Sequence, residues 1–223
     1  MSFNIAIDGP AGAGKSTIAK KLAKDLGYIY VDTGAMYRAM AYFLITQGVD
    51  AENTALLEET CQKADISIQY VDGEQIVLLN GENVNHVLRT EEVGKMASVS
   101  SANGKLREKL VELQQTLAAK ENVVMDGRDI GTVVLPNADV KIFMTASVEV
   151  RAKRRYDELV AKGESADLEV IAKDIEERDY RDSHREVSPL KQAEDAVLLD
   201  TSDLDIEQVT EKMKELVLQK KGK

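Results

Sequence analysis

The stretch Ala6-Ile7-Asp8-Gly9-Pro10-Ala11-Gly12-Ala13-Gly14-Lys15-Ser16-Thr17 constrains the fold more than any other part of the chain. It matches G-x-x-x-x-G-K-[ST], a loop that binds phosphate when a strand leads into it and a helix leaves it. Both flanks carry those patterns. Residues 3–7 form a short apolar run ending at Asp8, and Ile18, Leu22 and Leu26 recur every four residues with Ala19 and Ala23 beside them. The glycines let backbone N–H groups turn inward around phosphate oxygens. Lys15 reaches the β- and γ-phosphates, the Ser16 hydroxyl can ligate Mg²⁺, and the helix N-terminus adds its partial positive charge. A glycine-rich turn without a ligand is the simpler alternative, but four specified positions and both flanks agree on phosphate binding.

Four further apolar runs, residues 28–31, 123–125, 140–144 and 196–199, alternate with helical patterns. The alternation predicts an α/β fold with a mostly parallel sheet and helices on both faces, its ligands lying beyond the carboxyl ends of the strands. Four of the five runs are followed at once by an aspartate: Asp8, Asp32, Asp126 and Asp200. Asp caps helices well, so at least two of the four are expected to be structural. Met36, Met40, Phe43 and Leu44 line one side of a helix ended by Gly48, a stripe that reads as core. Residues 66–88 break the rhythm with two β-rich runs around Asp72-Gly73, which predicts an antiparallel insertion. Helical text resumes at Glu91, breaks at Asn103-Gly104 and runs to about Lys120. Residues 147–186 predict two helices joined by a turn at 162–166, residues 205–219 a last amphipathic helix, and residues 220–223 a frayed end. Without a Pro/Ser-rich linker, the 223 residues are expected to form one domain.

The formal charge of −10 argues against a nucleic-acid or anionic-membrane surface, so an anionic substrate must be held by a local basic cluster. Arg151, Arg154 and Arg155 are spaced i, i+3, i+4, and Arg178, Arg181 and Arg185 i, i+3, i+7, each trio on one helical face. Such faces are usually solvated, and the second is interleaved with Glu177, Asp179 and Asp182. Arg38 and Arg128 lie a few residues beyond strand ends, where an Arg fork grips phosphate bidentately. Together with the loop they point to transfer between two phosphates rather than hydrolysis. A phosphate acceptor is already anionic and needs no general base, only charge neutralisation and in-line positioning. His86 and His184 fit that view as surface residues with no nucleophile to activate. Cys61 is the single cysteine, which excludes an intramolecular disulfide and suits a reducing cytosol. No basic and apolar leader opens the sequence, and no apolar run approaches membrane-spanning length, so a soluble cytoplasmic protein is expected.

The strings IDGPAGAGKST, DTGAMYRA, MDGRDIGTVV, VKIFMTAS with RAKRR, and IEERDYRDSHREVSPL, in this order over essentially the whole chain, resemble bacterial cytidylate kinases. That resemblance implies a P-loop three-layer fold with a five-stranded sheet, a β-rich insertion in a nucleoside-monophosphate-binding region at about 34–103, and a helical lid at about 150–168. It implies transfer of the γ-phosphoryl group of ATP to CMP or dCMP, with Mg²⁺, by a monomer. Gly9, Pro10, Ala11, Gly12, Ala13, Gly14, Lys15, Ser16 and Thr17 would then hold the ATP phosphates, with Ser16 as the metal ligand. Thr33, Arg38, Arg128 and Arg185 would hold the acceptor's phosphate region, Ser98, Arg107 and Asp129 the cytosine edge, and Arg178 with Asp182 the ribose. Lys15, Arg128, Arg154, Arg155 and Arg185 would act on the transferring group, with Arg151, Arg154 and Arg155 carried by the lid.

A regulatory GTPase would carry N-K-x-D and D-x-x-G, and neither string occurs. A kinase for shikimate, gluconate or dephospho-coenzyme A would share the fold and the ATP site, and pattern alone does not reject it. A non-catalytic nucleotide-binding module would bind without turnover.

Overall fold

A computed structural model describes residues 2–222. In chain order the elements are β1 (Asn4–Asp8), α1 (Lys15–Leu26), β2 (Ile29–Asp32), α2 (Thr33–Thr46), α3 (Thr54–Lys63), β3 (Ile66–Val71), β4 (Glu74–Leu79), β5 (Glu82–Asn83), α4 (Glu91–Ser100), α5 (Gly104–Lys120), β6 (Val123–Asp126), β7 (Val140–Thr145), α6 (Val148–Ala161), α7 (Leu168–His184), β8 (Val197–Asp200) and α8 (Ile206–Lys221). A π-helical turn, Ile130–Val134, follows β6. Five strands form one sheet in the order β2-β6-β1-β7-β8, and β3-β4-β5 form a second. β1 pairs in parallel with β6 (Ile5 opposite Val124) and β7 (Ile5 opposite Val140), and β7 with β8 (Phe143 opposite Leu198). The chain divides into two compact units, one of residues 3–30 and 122–222, the other of residue 2 and residues 31–121.

In the first unit, alternate residues of the strands face one layer of helix. Ile5, Ile7, Val124, Val140, Ile142, Met144 and Leu199 meet Ile18, Ala19 and Leu22 of α1 and Val209, Met213 and Val217 of α8 in a single buried cluster. The four-residue spacing of α1 therefore reads correctly as its core stripe. Cutting the fully buried Leu22 back to alanine costs about 2–5 kcal/mol through lost burial and the cavity left behind. α8 starts on a capping box: Asp205 accepts from the Gln208 N–H at 2.8 Å, and Gln208 Oε1 accepts from the Asp205 N–H at 3.0 Å. It runs through Lys221, whose ammonium lies 4.8 Å from the Tyr28 ring centre and 5.2 Å from that of Phe3. The expected frayed end at 220–223 is thus corrected for 220 and 221, where those aromatic faces extend the helix, and Lys223 lies outside the described residues.

In the second unit α2 buries Met36, Met40, Phe43 and Leu44 as the stripe predicted. α3, which buries Leu57, Thr60 and the sole cysteine Cys61, was not foreseen. The predicted hairpin forms with Asp72 and Gly73 both at positive φ, 53° and 80°, as a type I′ turn requires. A second such pair, Asn80 and Gly81 at 51° and 85°, turns the chain into the two-residue strand β5. The break at Asn103 is a helix cap, its Oδ1 accepting from the Leu106 N–H at 3.1 Å.

Candidate active site

Residues 9–14 form the loop that the motif predicts, and the sheet explains why it opens on glycine. Gly9 has φ 145°, and a Cβ there would sit 1.9 Å from the carbonyl oxygen of Met144 on β7. Gly12 and Gly14 have φ of 76° and 87°, which only glycine adopts at little cost, and α1 begins at Lys15. Lys15 is buried, and its ammonium donates to the Pro10 carbonyl at 2.7 Å. Burial, with Arg128 and Arg178 nearby, holds its pKa well below the usual lysine range against the opposing pull of Asp126 and Asp8.

The strand-terminal aspartates divide their work. Asp126 accepts from the Ser16 hydroxyl at 3.0 Å and from the Tyr30 hydroxyl at 2.8 Å. Asp8 accepts from the backbone N–H groups of Ile130 and Gly131 at 2.7 Å each, and burial pushes its pKa up to about 6. Asp32 caps α2 through the Ala35 N–H at 2.9 Å, and Asp200 accepts from the Ser202 N–H at 2.9 Å. Asp32 and Asp200 thus satisfy local backbone, as at least two of the four were expected to do.

Beyond β6, Arg128 Nε donates to Asp182 Oδ2 at 2.9 Å. Burial alone would raise the Asp182 carboxyl, but Arg128, Arg178 and Arg185 together hold it below the usual carboxylate range. Arg185 Nη2 lies 3.9 Å from Asp129 Oδ1, and its Nε donates to the Ser188 carbonyl at 2.6 Å. The unit therefore brings Arg128, Asp129, Asp182 and Arg185 into one largely buried network. The second basic trio does not share one helical face: α7 ends at His184, Arg185 turns away as its extended cap, and Arg181 is exposed.

The first trio splits too. Arg151 was expected in the lid over the triphosphate. It is buried on α6, donating to the carbonyls of Ala146 (2.9 Å) and Ala11 (3.0 Å), with an ion pair of 2.7 Å to Asp179. Three fixed acceptors hold its guanidinium, so it ties the phosphate loop to the end of β7 and to α7. Arg154 donates to the Thr201 carbonyl at 2.7 Å and reaches the Ala13 carbonyl at 3.4 Å, whereas Arg155 is exposed beside Glu158 at 2.9 Å.

In the other unit, Thr33 is buried at the start of α2, and Arg38 lies back along the same helix: a Cβ on Gly34 would be 3.2 Å from its Nη1 and 3.2 Å from Asp32 Oδ1. Gln75 of β4 holds the Asp32 backbone on both sides, accepting its N–H at 2.8 Å and donating to its carbonyl at 3.2 Å. Ser98 is half-buried on α4. Arg107 is buried on α5, donates to the Ser101 carbonyl at 2.9 Å and stacks 5.1 Å from the Tyr37 ring centre. The cap at Asn103 thus brings the serine and the arginine to one helix junction. Sequence reasoning missed Asp8's backbone bonds, Tyr30, Gln75 and the burial of Arg151. A signal existed only for the first, in the run of strand-terminal aspartates.

A strand, a glycine loop closed by Lys15 and Ser16, a carboxylate on the Ser16 hydroxyl and a cluster of arginines beyond the strand ends define a P-loop phosphotransferase. The family model for cytidylate kinase matches residues 5–219. Curated cytidylate kinases are similar along nearly their whole length. That of Lactobacillus gasseri is 52% identical over 221 residues, covering 99% of this chain and 96% of the relative. One from Bacillus anthracis is 53% identical over 216 residues (97% and 96%), and one from Bacillus cereus 52% over 215 (96% and 96%). An uncharacterized protein from Eubacterium ventriosum shares the fold with a TM-score of 0.56 at 14% identity, covering 98% of this chain and 99% of its own. The chain belongs to the cytidylate kinase family, and it is an enzyme, a nucleoside monophosphate kinase.

Proposed function

We propose that this chain transfers the γ-phosphoryl group of ATP to CMP or dCMP, giving ADP and CDP or dCDP, and that its residues divide the task as the family pattern implies. An oxygen of the acceptor phosphate forms a bond to the γ-phosphorus as the bond from that phosphorus to the β–γ bridging oxygen breaks and ADP leaves. The observation that carries this reading is that one compact unit holds both the phosphate loop with Lys15 and the network in which Arg128 Nε donates to Asp182 Oδ2 at 2.9 Å and Arg185 Nη2 lies 3.9 Å from Asp129 Oδ1. After burial, the charges of Arg128 and Arg178 are what depress the Lys15 pKa most, a repulsion that anions lying among these cations relieve. Residues 9–17 hold the ATP phosphates. Arg128 and Arg185 serve the acceptor phosphate, Asp129 accepts from the cytosine amino group, and Arg178 with Asp182 hold the ribose. Thr33 and Arg38 are assigned to the acceptor's phosphate region, and Ser98 and Arg107 to the cytosine edge. Arg154 and Arg155 act on the transferring group, the hairpin at about 150–168 being the lid.

The Ser16 hydroxyl beside the Asp126 carboxylate, 3.0 Å apart, is a hard oxygen pair that suits Mg²⁺, an ion that takes few protein ligands and keeps several waters. Ser16 would ligate it and Asp126 would hold its water shell, and the ion when bound neutralises phosphate charge. Tyr30 fixes the Asp126 carboxylate from the other side. Among the described residues no helix is long and apolar enough to cross a membrane. We assign the enzyme to the cytoplasm as a monomer, for which sedimentation gives the mass.

The test is ADP release with CMP, dCMP, UMP, AMP, GMP, shikimate and cytidine as acceptors, for the unmodified enzyme and for Arg128→Ala. CMP and dCMP should lead, and cytidine should be very poor, because its hydroxyl needs a base and leaves the arginines unpaired. A charge-assisted hydrogen bond is worth roughly 1.5–3 kcal/mol, so Arg128→Ala should lower kcat/KM for CMP about ten- to a hundredfold and shrink the preference for CMP over cytidine. Faster turnover of AMP or shikimate, or efficient phosphorylation of cytidine, would refute the assignment.

A further inference from the structure

Asp8 ends β1 directly before the phosphate loop, yet its carboxylate is committed elsewhere. Oδ1 accepts from the Ile130 N–H and Oδ2 from the Gly131 N–H, 2.7 Å each, across 122 and 123 residues of chain. These two N–H groups open the π-helical turn that follows Arg128 and Asp129 directly. π-Helical turns occur often at functional sites. On the other side of the same peptide, the Asp129 carbonyl accepts from the N–H groups of Val133 and Val134 at 2.9 and 3.2 Å. The backbone at Asp129 is therefore gripped from both directions, and Asp8 supplies the only charged grip described there.

The space around this grip is closed. A Cβ on Gly131 would lie 3.3 Å from Asp8 Oδ2 and 3.2 Å from Cδ of Lys141, tighter than a side chain tolerates without displacing one of them. Lys141 has little freedom to yield, since its ammonium is held by the Pro136 carbonyl at 2.6 Å and by Asp195 at 2.8 Å. Asp8 itself is 4% exposed and faces Asp129 and Lys15. Keeping an ionised carboxylate so deeply buried is unfavourable, and its two short N–H bonds are what offset that cost.

The geometry points to Asp8 as a positioning residue for acceptor recognition, fixing the backbone that presents Arg128 and Asp129 without itself holding ATP. This rests on the reading of Arg128 and Asp129 as acceptor-binding residues. An asparagine at position 8 keeps one acceptor and turns an N–H₂ group toward one of the two backbone N–H groups, which loosens the turn. An alanine at position 131 pushes the same pair apart from the opposite side while leaving every charge in place.

The experiment is steady-state kinetics on the full-length enzyme, with CMP varied at saturating ATP and ATP varied at saturating CMP, for Asp8→Asn, Gly131→Ala and Asp129→Asn. Asp8→Asn should raise the KM for CMP about ten- to a hundredfold, the loss of one hydrogen bond to a charged group, and move the KM for ATP less than about twofold. Gly131→Ala should show the same split at smaller size, and it decides the question alone if Asp8→Asn does not fold. If both variants raise the two KM values equally, or that for ATP more, Asp8 supports the fold or the phosphate loop and the inference is overturned. If Asp129→Asn impairs CMP binding while the other two leave it unchanged, the inference falls and the assignment of Asp129 stands. An unimpaired Asp129→Asn overturns both.

Discussion

Lys15 is charged against the preference of its surroundings: it is 5% exposed and shares them with Arg128 and Arg178. A group whose pKa is lowered in the fold destabilises the folded state while it stays protonated. Lys15→Met should therefore separate activity from stability. Turnover should fall about a hundred- to a thousandfold, as for other preorganised stabilisers of transition-state charge, while Tm stays level or rises. A variant that lost several degrees of Tm would show that the ammonium helps to hold the loop together. The lysine's place was legible in the sequence because its motif is contiguous. The partners of other site residues were not, because they are distant along the chain: Tyr30 is 96 residues from Asp126, Asp8 is 122 from Ile130, and Arg151 is 140 from Ala11. Spacing showed that Arg151 shares a helical face with Arg154 and Arg155. It could not show that three fixed acceptors bury the first while the third stays in solvent.

At the scale of elements, hydrophobic period and turn chemistry located the five parallel strands to within about a residue at each end, each ending on or beside its aspartate or, for β7, on Thr145. What escaped was short or conditional. β5 is two residues long, set by the positive-φ pair before it, and α3 buries only three of its ten residues, too few to print a period. α6 is held near its start by Arg151 and Arg154 but, like α3, buries little of its length. Of its fourteen residues only Arg151 and Ala152 are buried, and it ends at Lys162 and Gly163, the latter at φ 77°. Segments with so little buried surface open at low free-energy cost. Amide hydrogen exchange should be faster in Val148–Ala161 than in α1, and it should slow when ATP-site and CMP-site ligands are bound together. Equal exchange with and without both ligands would remove the lid assignment.

At the scale of the whole molecule, pH acts on stability through the buried carboxyls in opposite directions. Asp8 has its pKa raised from 3.8 to about 6 by burial, so its protonated form favours folding. That contribution is full below about pH 4 and is lost as pH rises through about 6. Asp182 is shifted the other way, so its contribution is present at neutral pH and fades only in stronger acid. Between pH 7 and 4 the unmodified enzyme should accordingly gain on Asp8→Asn by up to about 3 kcal/mol, at about 1.4 kcal/mol per pH unit, read as a widening gap in Tm. A gap that stays constant across that range would mean that the carboxyl titrates as it does in water.

Cys61, on the buried face of α3 and with its thiol pushed up in pKa by burial, has a practical consequence. The natural chain offers thiol reagents almost nothing, so no background cysteine need be removed before attaching a probe. A cysteine introduced at the exposed Glu164, beside the glycine that ends α6, would react alone. A fluorophore or spin label there would follow the tip of the hairpin during turnover, in an enzyme otherwise unaltered.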